Sequence, residues 1–317
     1  MRAPEVICVG NIVVDAVGVD VDRIPDEGGL SLFDRVEMHL GGCANNMAIA
    51  LAKLGIPVGL SAKVGADGLG DYCAKIHSET GVDTRGLVRS KTDSTSFSFI
   101  MVPRSGNRRI LHTLAANATF GPKDIDTSLF TGAKWVSFNG LALLPNLEGE
   151  NLAGLLKAAR AAGARTVGDT ATNERFSRQD WERTLGASYE HFDILFPSEA
   201  EAVAITGHTD PRKICEALYG RGVKIAGVKL GERGSAVLSA EGYTELTAYK
   251  VHCIDTLGAG DSFMAGLVAG MLRSLLPTEA ARLGNAVSAH CVQAVGATTG
   301  IPRLSEVLAF QSTRGKT

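Results

Sequence analysis

The stretch DTLGAGDSF, residues 255–263, places a loop almost without side chains directly before an acid. Gly258, Ala259 and Gly260 leave the backbone bare, and Asp261 follows at once. Apolar residues then recur at every fourth position, which predicts a helix with one apolar face. Free amide groups and the helix dipole favour an anion such as phosphate at such a helix start. An aspartate near a glycine turn is also a common purely structural feature, so this stretch alone leaves both interpretations open.

Two further stretches near the N-terminus combine glycine with polar side chains. In GGCANNMAIALAKLG, residues 41–55, paired glycines precede a helix predicted to begin near Asn45 and to end at Gly55. Asn45 is a candidate helix cap, whereas Asn46 is a candidate anchor for a hydroxylated ligand. In GNIVVDAVG, residues 10–18, we expect Asp15 to end an apolar strand, where an acid must be solvated or bonded to a ligand.

Short apolar, β-branched runs alternate along the chain with segments of helical length. This alternation is typical of a mostly parallel sheet that is covered by helices on both faces. The predicted strands are Val6–Val9, Trp135–Phe138, Thr166–Gly168, Ile194–Phe196 and Ile225–Val228, and the predicted helices are Asn151–Ala162, Arg212–Gly220 and Gly260–Leu275.

Two segments depart from the alternation and predict a small projecting sheet. Residues 31–40 and 94–114 are extended in pattern, and Ser-Gly-Asn at 105–107 predicts a hairpin turn between two strand-like arms. The apolar residues of such a flap need cover from a substrate, a second subunit or both. We therefore expect one domain, residues 1–317, with lid segments at about 11–40 and 94–116.

Composition excludes several classes of protein. A net charge of −2 over 317 residues, with no basic stripe, does not favour nucleic-acid binding. No apolar run approaches the roughly 20 residues that span a bilayer, and the N-terminus lacks a signal core. Six scattered cysteines without metal-binding spacing predict buried free thiols in a reducing cytoplasm, so we expect a cytoplasmic protein.

The stretches GG-x-A-x-N-x-A…G…G at 41–65 and DTLGAGDSFMAGLV at 255–268 together resemble the two signatures of the ribokinase-like (PfkB) carbohydrate kinases. PSEAEA at 197–202, VKLGERG at 228–234 and GNAVSAHCVQAVGATTGIP at 284–302 extend the resemblance over nearly the whole chain. It implies an α/β three-layer sandwich with a mostly parallel central sheet and a small projecting β lid. It also implies transfer of a phosphoryl group from ATP, with Mg²⁺, to a primary hydroxyl of a small sugar or sugar derivative.

The resemblance also implies a role for each matching residue. Asp261 matches the general base, and Gly258, Ala259 and Gly260 match the anion hole that holds the transferring phosphate. Sugar hydroxyls are expected at Asp15, Gly42 and Asn46. The nucleotide is expected at Ser198, which stands where the family has asparagine, and at Lys229, Gly231 and Asn285; Glu201 matches an acid that acts on magnesium through water.

Further properties follow from the resemblance. Many relatives bind K⁺ through backbone carbonyls, and the matching positions are Asp255, Leu257, Cys291, Ala294 and Gly296, while Gly300 lacks a hydroxyl that some relatives carry. A homodimer formed through paired lids is a pattern of the family.

Substrate choice stays open on the sequence. Arg108 and Arg109 either end a solvated hairpin or meet an acidic or phosphorylated substrate. Asp169, Asn173 and Arg175 stand near an Asp-x-Asn-x-Arg pattern of some relatives, but with different spacing. The alternatives are a nucleoside kinase of the same fold and a non-catalytic sugar or nucleotide sensor; an NAD-dependent dehydrogenase lacks its glycine fingerprint.

Overall fold

The computed structural model describes residues 2–105, 108–171 and 177–314. Within these ranges the strands are β1 Val6–Gly10, β2 Val13–Val19, β3 Arg35–Gly41, β4 Val58–Gly65, β5 Asp83–Ser90, β6 Phe97–Val102, β7 Arg109–Thr113, β8 Trp135–Asn139, β9 Arg165–Asp169, β10 Ile194–Leu195, β11 Ile225–Lys229, β12 Ser235–Ser239 and β13 Gly242–Leu246. The helices are α1 Cys43–Lys53, α2 Gly68–Thr80, α3 Ala116–Thr119, α4 Gly149–Ala161, α5 Arg178–Leu185, α6 Glu199–Thr206, α7 Pro211–Gly220, α8 Ala259–Leu272, α9 Pro277–Cys291 and α10 Leu304–Arg314.

The large sheet has the order β13-β12-β11-β10-β9-β8-β1-β4-β5 and is parallel from β11 to β5. The pairs β11–β12 and β12–β13 are antiparallel. Alternate residues of β1 enter two separate cores: Val6 and Cys8 pack with α1, α8 and α9, whereas Ile7 and Val9 pack with α4 to α7. The predicted α/β architecture with helices on both faces of a mostly parallel sheet is confirmed.

Helix α8 is buried over most of its length. The predicted apolar positions Phe263 and Leu267 are buried as expected, but so is every other residue from Asp261 to Gly270. The reason is close packing against α9, since a Cβ on Gly266 would lie 2.8 Å from the Gly284 Cα. The helix also ends at Leu272 rather than residue 275, because Ser274 adopts a positive φ of 59° before α9 begins at Pro277.

The small sheet has the order β3-β2-β6-β7, with β2 and β6 parallel and the outer pairs antiparallel. The register of its strand pairs gives the small sheet two faces that carry different side chains. Asp15 lies opposite His39 and Ser98 on one face, and Ala16 lies opposite Met38 and Phe99 on the other. The predicted hairpin arms are β6 and β7, while Gly106 and Asn107 of its turn lie outside the described residues.

Two local predictions need correction. Asp15 does not end a strand; it is the third residue of β2, because β1 stops at Gly10 and a new strand begins at Val13. The six cysteines are free as expected, and four are buried, but Cys43 is only half-buried and Cys253 is exposed. No helix in the described ranges is both long and apolar enough to span a bilayer.

Candidate active site

The N-terminus of α8 presents backbone amides to a cavity. Gly258 precedes the helix at φ 74°, and a Cβ there would lie 2.3 Å from the Ala297 carbonyl oxygen, so the turn requires glycine. Ala259 N–H donates to the Thr256 carbonyl at 3.2 Å. Within the described residues, the N–H groups of Gly258, Gly260 and Asp261 have no acceptor. The helix start therefore offers unpaired donors of the kind that bind anions.

The Asp261 carboxylate is buried beside these amides. Its Oδ2 accepts a hydrogen bond of 2.8 Å from Asn46 Nδ2 on α1. Burial raises the pKa of Asp261, while the Asn46 hydrogen bond, the Lys229 charge and the Cys43 thiol oppose this rise. The two sequence signatures, one with Asn46 and one with Asp261, thus meet at the Asp261 carboxyl group, which is poised to accept a proton.

Asn11, which was not among the predicted site residues, fixes the start of α1. Its Oδ1 accepts the Cys43 N–H at 2.9 Å, although the two residues are 32 positions apart. Gly42, at φ 95°, passes so close to this loop that a Cβ would lie 2.6 Å from the Asn11 carbonyl oxygen. Asn45 is not the cap that was considered, because the helix begins at Cys43 and Gly42 precedes it.

A cavity of about 290 Å³, here called the helix-start cavity, opens in front of α8. It contains most of the residues predicted for phosphate and nucleotide, together with three that were not predicted for these roles: Asp169, Thr170 and Thr256. Its lining consists of Asp169, Thr170, Ser198, Glu201, Lys229, Gly231, Thr256, Gly258, Ala259, Gly260 and Asp261.

Charged side chains from neighbouring strands converge in the helix-start cavity. Lys229, at the end of β11, forms an ion pair with Asp169 at the end of β9. Burial raises the pKa of Asp169, against the opposing effect of the Lys229 ammonium group. Glu201 Oε2 accepts the Ser198 N–H at 2.9 Å and the Thr170 hydroxyl at 2.6 Å. Ser198 and Glu201 therefore also form a capping box at the start of α6, which the Ser-x-x-Glu spacing indicates.

A second cavity of about 360 Å³, here called the small-sheet cavity, lies under the inner face of the small sheet. Asp15 is buried in it, and burial raises the pKa of Asp15. A Cβ on Gly41 would lie 2.1 Å from Asp15 Oδ2, so the glycine at position 41 makes room for this carboxylate. The lining consists of Asp15, Val17, Glu37, His39, Ile100, Val102, Arg108, Ile254, Asp255, Leu257, Val295 and Gly296.

The segment 255–261, a loop that continues into the first turn of α8, forms a wall of both cavities. Asp255 and Leu257 line the small-sheet cavity, whereas Thr256 and residues 258–261 line the helix-start cavity. Asp255 Oδ1 accepts the Leu257 N–H at 3.0 Å, and its Oδ2 accepts the Gly296 N–H at 2.9 Å. These bonds hold the dividing loop in place.

Other predicted residues lie outside the two cavity linings. Asn285 is buried on α9, and its Nδ2 has no partner among the described residues. Cys291 Sγ contacts the carbonyl oxygens of Leu257 and Ala297 at 3.4 and 3.2 Å. Gly42, Asn46 and Ala294 also line neither cavity.

The two lid arginines differ in position. Arg108 lines the small-sheet cavity, whereas Arg109 is exposed on β7 opposite Met101. Asn173 and Arg175 lie outside the described residues. Only Arg108 is therefore placed to meet a ligand under the small sheet.

The carboxylate oxygens of the helix-start cavity suit a magnesium ion that is bound mainly by phosphate. Across residues 2–105, 108–171 and 177–314, no cluster of three or more His, Cys, Asp or Glu forms a metal cage. Glu201 Oε1 has no hydrogen-bond partner there. Mg²⁺ in proteins is typically held by one or two carboxylates, substrate phosphates and water, so the Glu201 carboxylate is compatible with it.

Comparison with known proteins agrees with this architecture. The chain is 27% identical over 314 residues to a 5-dehydro-2-deoxygluconokinase of Shouchella clausii, covering 96% and 95% of the two chains. It is 27% identical over 294 residues to a 2-dehydro-3-deoxygluconokinase of Bacillus subtilis, with 90% of each covered. The structure of an Arabidopsis thaliana ribokinase complexed with ribose and ATP superposes with a TM-score of 0.83 at 24% identity, covering 97% and 98%.

The model of the pfkB family of carbohydrate kinases matches residues 3–304. The match includes both cavities and the loop that divides them. The chain therefore belongs to the pfkB carbohydrate kinase family, and it is a phosphotransferase that acts on a sugar hydroxyl.

Proposed function

We propose that this enzyme transfers the terminal phosphoryl group of ATP to a primary hydroxyl of a small sugar or sugar derivative. The observation that carries the proposal is the shared wall. One segment, 255–261, borders both the helix-start cavity, with its unpaired amides, and the small-sheet cavity, which contains the buried Asp15. Phosphate would lie in the helix-start cavity and the sugar in the small-sheet cavity. Asp261 stands at the end of the wall, where the two substrates would meet.

The proposed reaction needs little covalent work from the protein. The sugar hydroxyl oxygen forms a bond to the terminal phosphorus, the bond from that phosphorus to the ADP oxygen breaks, and ADP leaves with the electron pair. Asp261 accepts the hydroxyl proton, a role worth about 10²–10⁴-fold in rate. The amides of Gly258 and Gly260 stabilise the charge on the transferring group.

The remaining predicted residues divide between the two substrates. Asp15, Gly42 and Asn46 are proposed to hold sugar hydroxyls, while Ser198, Lys229, Gly231 and Asn285 are proposed to hold the nucleotide. Magnesium, when bound near Glu201 with the phosphates, would neutralise phosphate oxygens. An Escherichia coli neighbour of this fold, named for ribokinase II and 22% identical, was solved with ATP and Mg²⁺, which supports this part of the proposal.

Potassium is a further part of the proposal. The loops carrying Asp255, Leu257 and Gly296 are tied together by the Asp255 carboxylate, which orders carbonyl groups beside the helix start. The Cys291 thiol already contacts the Leu257 carbonyl, and Gly300 supplies no hydroxyl. Rates in KCl and in NaCl, compared in the assay below, test whether the remaining carbonyls of this region bind K⁺.

We also propose that the small sheet acts as a lid within one domain and pairs with the lid of a second copy. Lid closure would exclude water from the reacting groups. Val36, Met38 and Leu111 are exposed apolar side chains on this sheet, and they need cover.

The test is Asp261→Asn, assayed by ADP release over a panel of pentoses, hexoses, sugar acids and nucleosides. We expect the wild type to phosphorylate at least one sugar, and the variant to lose turnover by 10²-fold or more while sugar and ATP affinity stay near normal. Asp26→Asn is the control, since the Asp26 side chain is 99% exposed. Near-normal kcat in Asp261→Asn would refute the base, and activity on nucleosides alone would replace the sugar by a nucleoside.

A further inference from the structure

Lys229 lies where a cation would act on the transferring group itself. It is the last residue of β11, and its side chain is only 13% exposed. A Cβ on Gly260 would lie 3.2 Å from Lys229 Nζ, so the ammonium group passes directly over a bare Cα in the first turn of α8. The lysine charge and the unpaired amides of the helix start therefore border the same space.

The counter-ion of this charge is Asp169. Lys229 Nζ lies 2.5 Å from Asp169 Oδ1, and Asp261 and Glu201 add two more carboxyl groups to the same cavity. Together these acids raise the pKa of Lys229 against the effect of its burial, so the side chain stays protonated. Lys229 is thus the single Lys or Arg among the described lining residues, facing three acids.

A second ion pair joins the same part of the sheet at its opposite end. Lys224 stands just before β11 and pairs at 2.6 Å with Asp193, which stands just before β10 and also accepts the Thr166 N–H. That pair ties strands together away from both cavities. Lys229 and Asp169 instead occupy the carboxyl ends of the strands, where they border the cavity rather than close the sheet.

We propose that Lys229 is a catalytic residue that moves from Asp169 to the transferring phosphoryl group, with Asp169 as its resting partner. This rests on the proposed function. As the new bond to phosphorus forms and the bond to the ADP oxygen breaks, Lys229 donates hydrogen bonds to the phosphoryl oxygens and keeps its proton, while Asp261 takes the proton of the acceptor. One charge-assisted hydrogen bond replaces another, and the flexible lysine stem permits the exchange.

The test compares Lys229→Met, Lys229→Arg and Asp169→Asn. Loss of one donor to a developing charge lowers kcat by about 10²-fold, and we expect that loss in Lys229→Met, with sugar KM changed less than about 3-fold. Lys229→Arg should recover part of it, and Asp169→Asn should keep at least about a tenth of wild-type kcat. By calorimetry, Lys229→Met should bind ADP normally but bind the β,γ-methylene analogue of ATP more weakly, because only the analogue carries the terminal phosphoryl group.

Two further variants separate catalysis from structure. Lys224→Met breaks the pair at the other end of the strands and should keep wild-type kcat. The double variant Lys229→Met/Asp169→Asn removes both charges of the ion pair, so neither Lys229 nor Asp169 is left buried without its partner, as in the single change. We expect it still to lack turnover.

Several outcomes would overturn the inference. Turnover of the double variant equal to that of Asp169→Asn would show that the pair is only structural. Equal weakening of ADP and analogue binding in Lys229→Met would place the lysine elsewhere on the nucleotide. A wild type inactive on the whole panel would instead refute the proposed function, which the Asp261→Asn comparison tests separately.

Discussion

Asn46 and Asp261 are 215 positions apart in sequence, yet their side chains are joined by a hydrogen bond of 2.8 Å. The amide donates to the carboxylate and so stabilises its charged form against burial, which is the largest influence on this group and raises its pKa. Asn46 was expected to hold a sugar hydroxyl. The structure gives it a second contact, because its amide donates to Asp261 Oδ2, which orients the carboxylate and favours its charged form.

Asn46→Ala should therefore move the acid limb of the pH–rate profile upward. Asp261 must be ionised to act as a base, so kcat/KM falls as the pH drops through its pKa, which burial sets above the ordinary value of 3.8. Removing the donor raises that pKa further, and we expect a shift of the limb by about one pH unit. The profile of kcat/KM for the sugar between pH 4 and 8 measures it.

The control is Asn151→Ala, which removes an amide on the exposed start of α4 and should leave the limb in place. An Asn46→Ala limb that stays at the wild-type pH, even with a higher KM, would mean that Asn46 serves the sugar alone.

Helices α8 and α9 cross in close contact at Gly266 and Gly284. A Cβ on Gly266 would lie 2.8 Å from the Leu283 carbonyl oxygen, and one on Gly284 would lie 2.8 Å from the Phe263 carbonyl oxygen. Both obstacles are backbone atoms, which cannot rotate away. This close crossing buries α8 on all sides and fixes its N-terminus, with Asp261, against the sheet.

Gly266→Ala should destabilise the fold by about 1–3 kcal/mol, the usual cost of overpacking a core. Gly154→Ala is the matched control within α4, because a Cβ there meets nothing within 4 Å. It should stabilise the fold by about 0.5–1 kcal/mol, since alanine favours helix over glycine. Urea unfolding of both variants gives the two free energies, and effects of the same sign would contradict the account of the crossing.

Sequence patterns located most elements that lie in the parallel sheet. Each predicted strand, such as Val6–Val9, matches an observed strand within about one residue, because buried parallel strands are short apolar runs with clear ends. The start of α1 was misplaced because its cap, Asn11, is distant in sequence. Periodicity located the apolar positions of α8, such as Phe263 and Leu267, which are buried; burial extends around the whole helix because α9 packs on its small residues.

Part of the candidate site could also be predicted from local sequence patterns. Residues within one motif, such as Gly258 to Asp261, were predicted to stand at a helix start, and the structure places them there because glycine spacing and apolar periodicity are local signals. The pairing of Lys229 with Asp169 was not found, because it depends on which strand ends are neighbours in the sheet. Strand order β11-β10-β9 brings these two ends together, and no local pattern contains that order.

The two faces of the small sheet differ in chemistry, and this difference bears on assembly. The inner face carries Asp15 and His39 and borders a cavity. The outer face carries Val36, Met38 and Leu111 with no cover over them in a single copy of the described chain. A second copy presenting the same face would bury these side chains symmetrically, as a two-fold dimer requires.

Leu111→Lys should therefore convert a homodimer into a monomer. Leu111 is 65% exposed on β7, in register with Phe99 of β6, so a lysine there folds without loss but places two charges in the proposed interface. Leu276→Lys is the matched control, since Leu276 is 60% exposed at the start of α9, far along the chain from the small sheet. Light scattering after size exclusion should give dimer masses for the wild type and Leu276→Lys, and a monomer mass for Leu111→Lys. A wild type that is monomeric at tens of micromolar, or a Leu111→Lys variant that stays dimeric, would show that the outer face is not the interface.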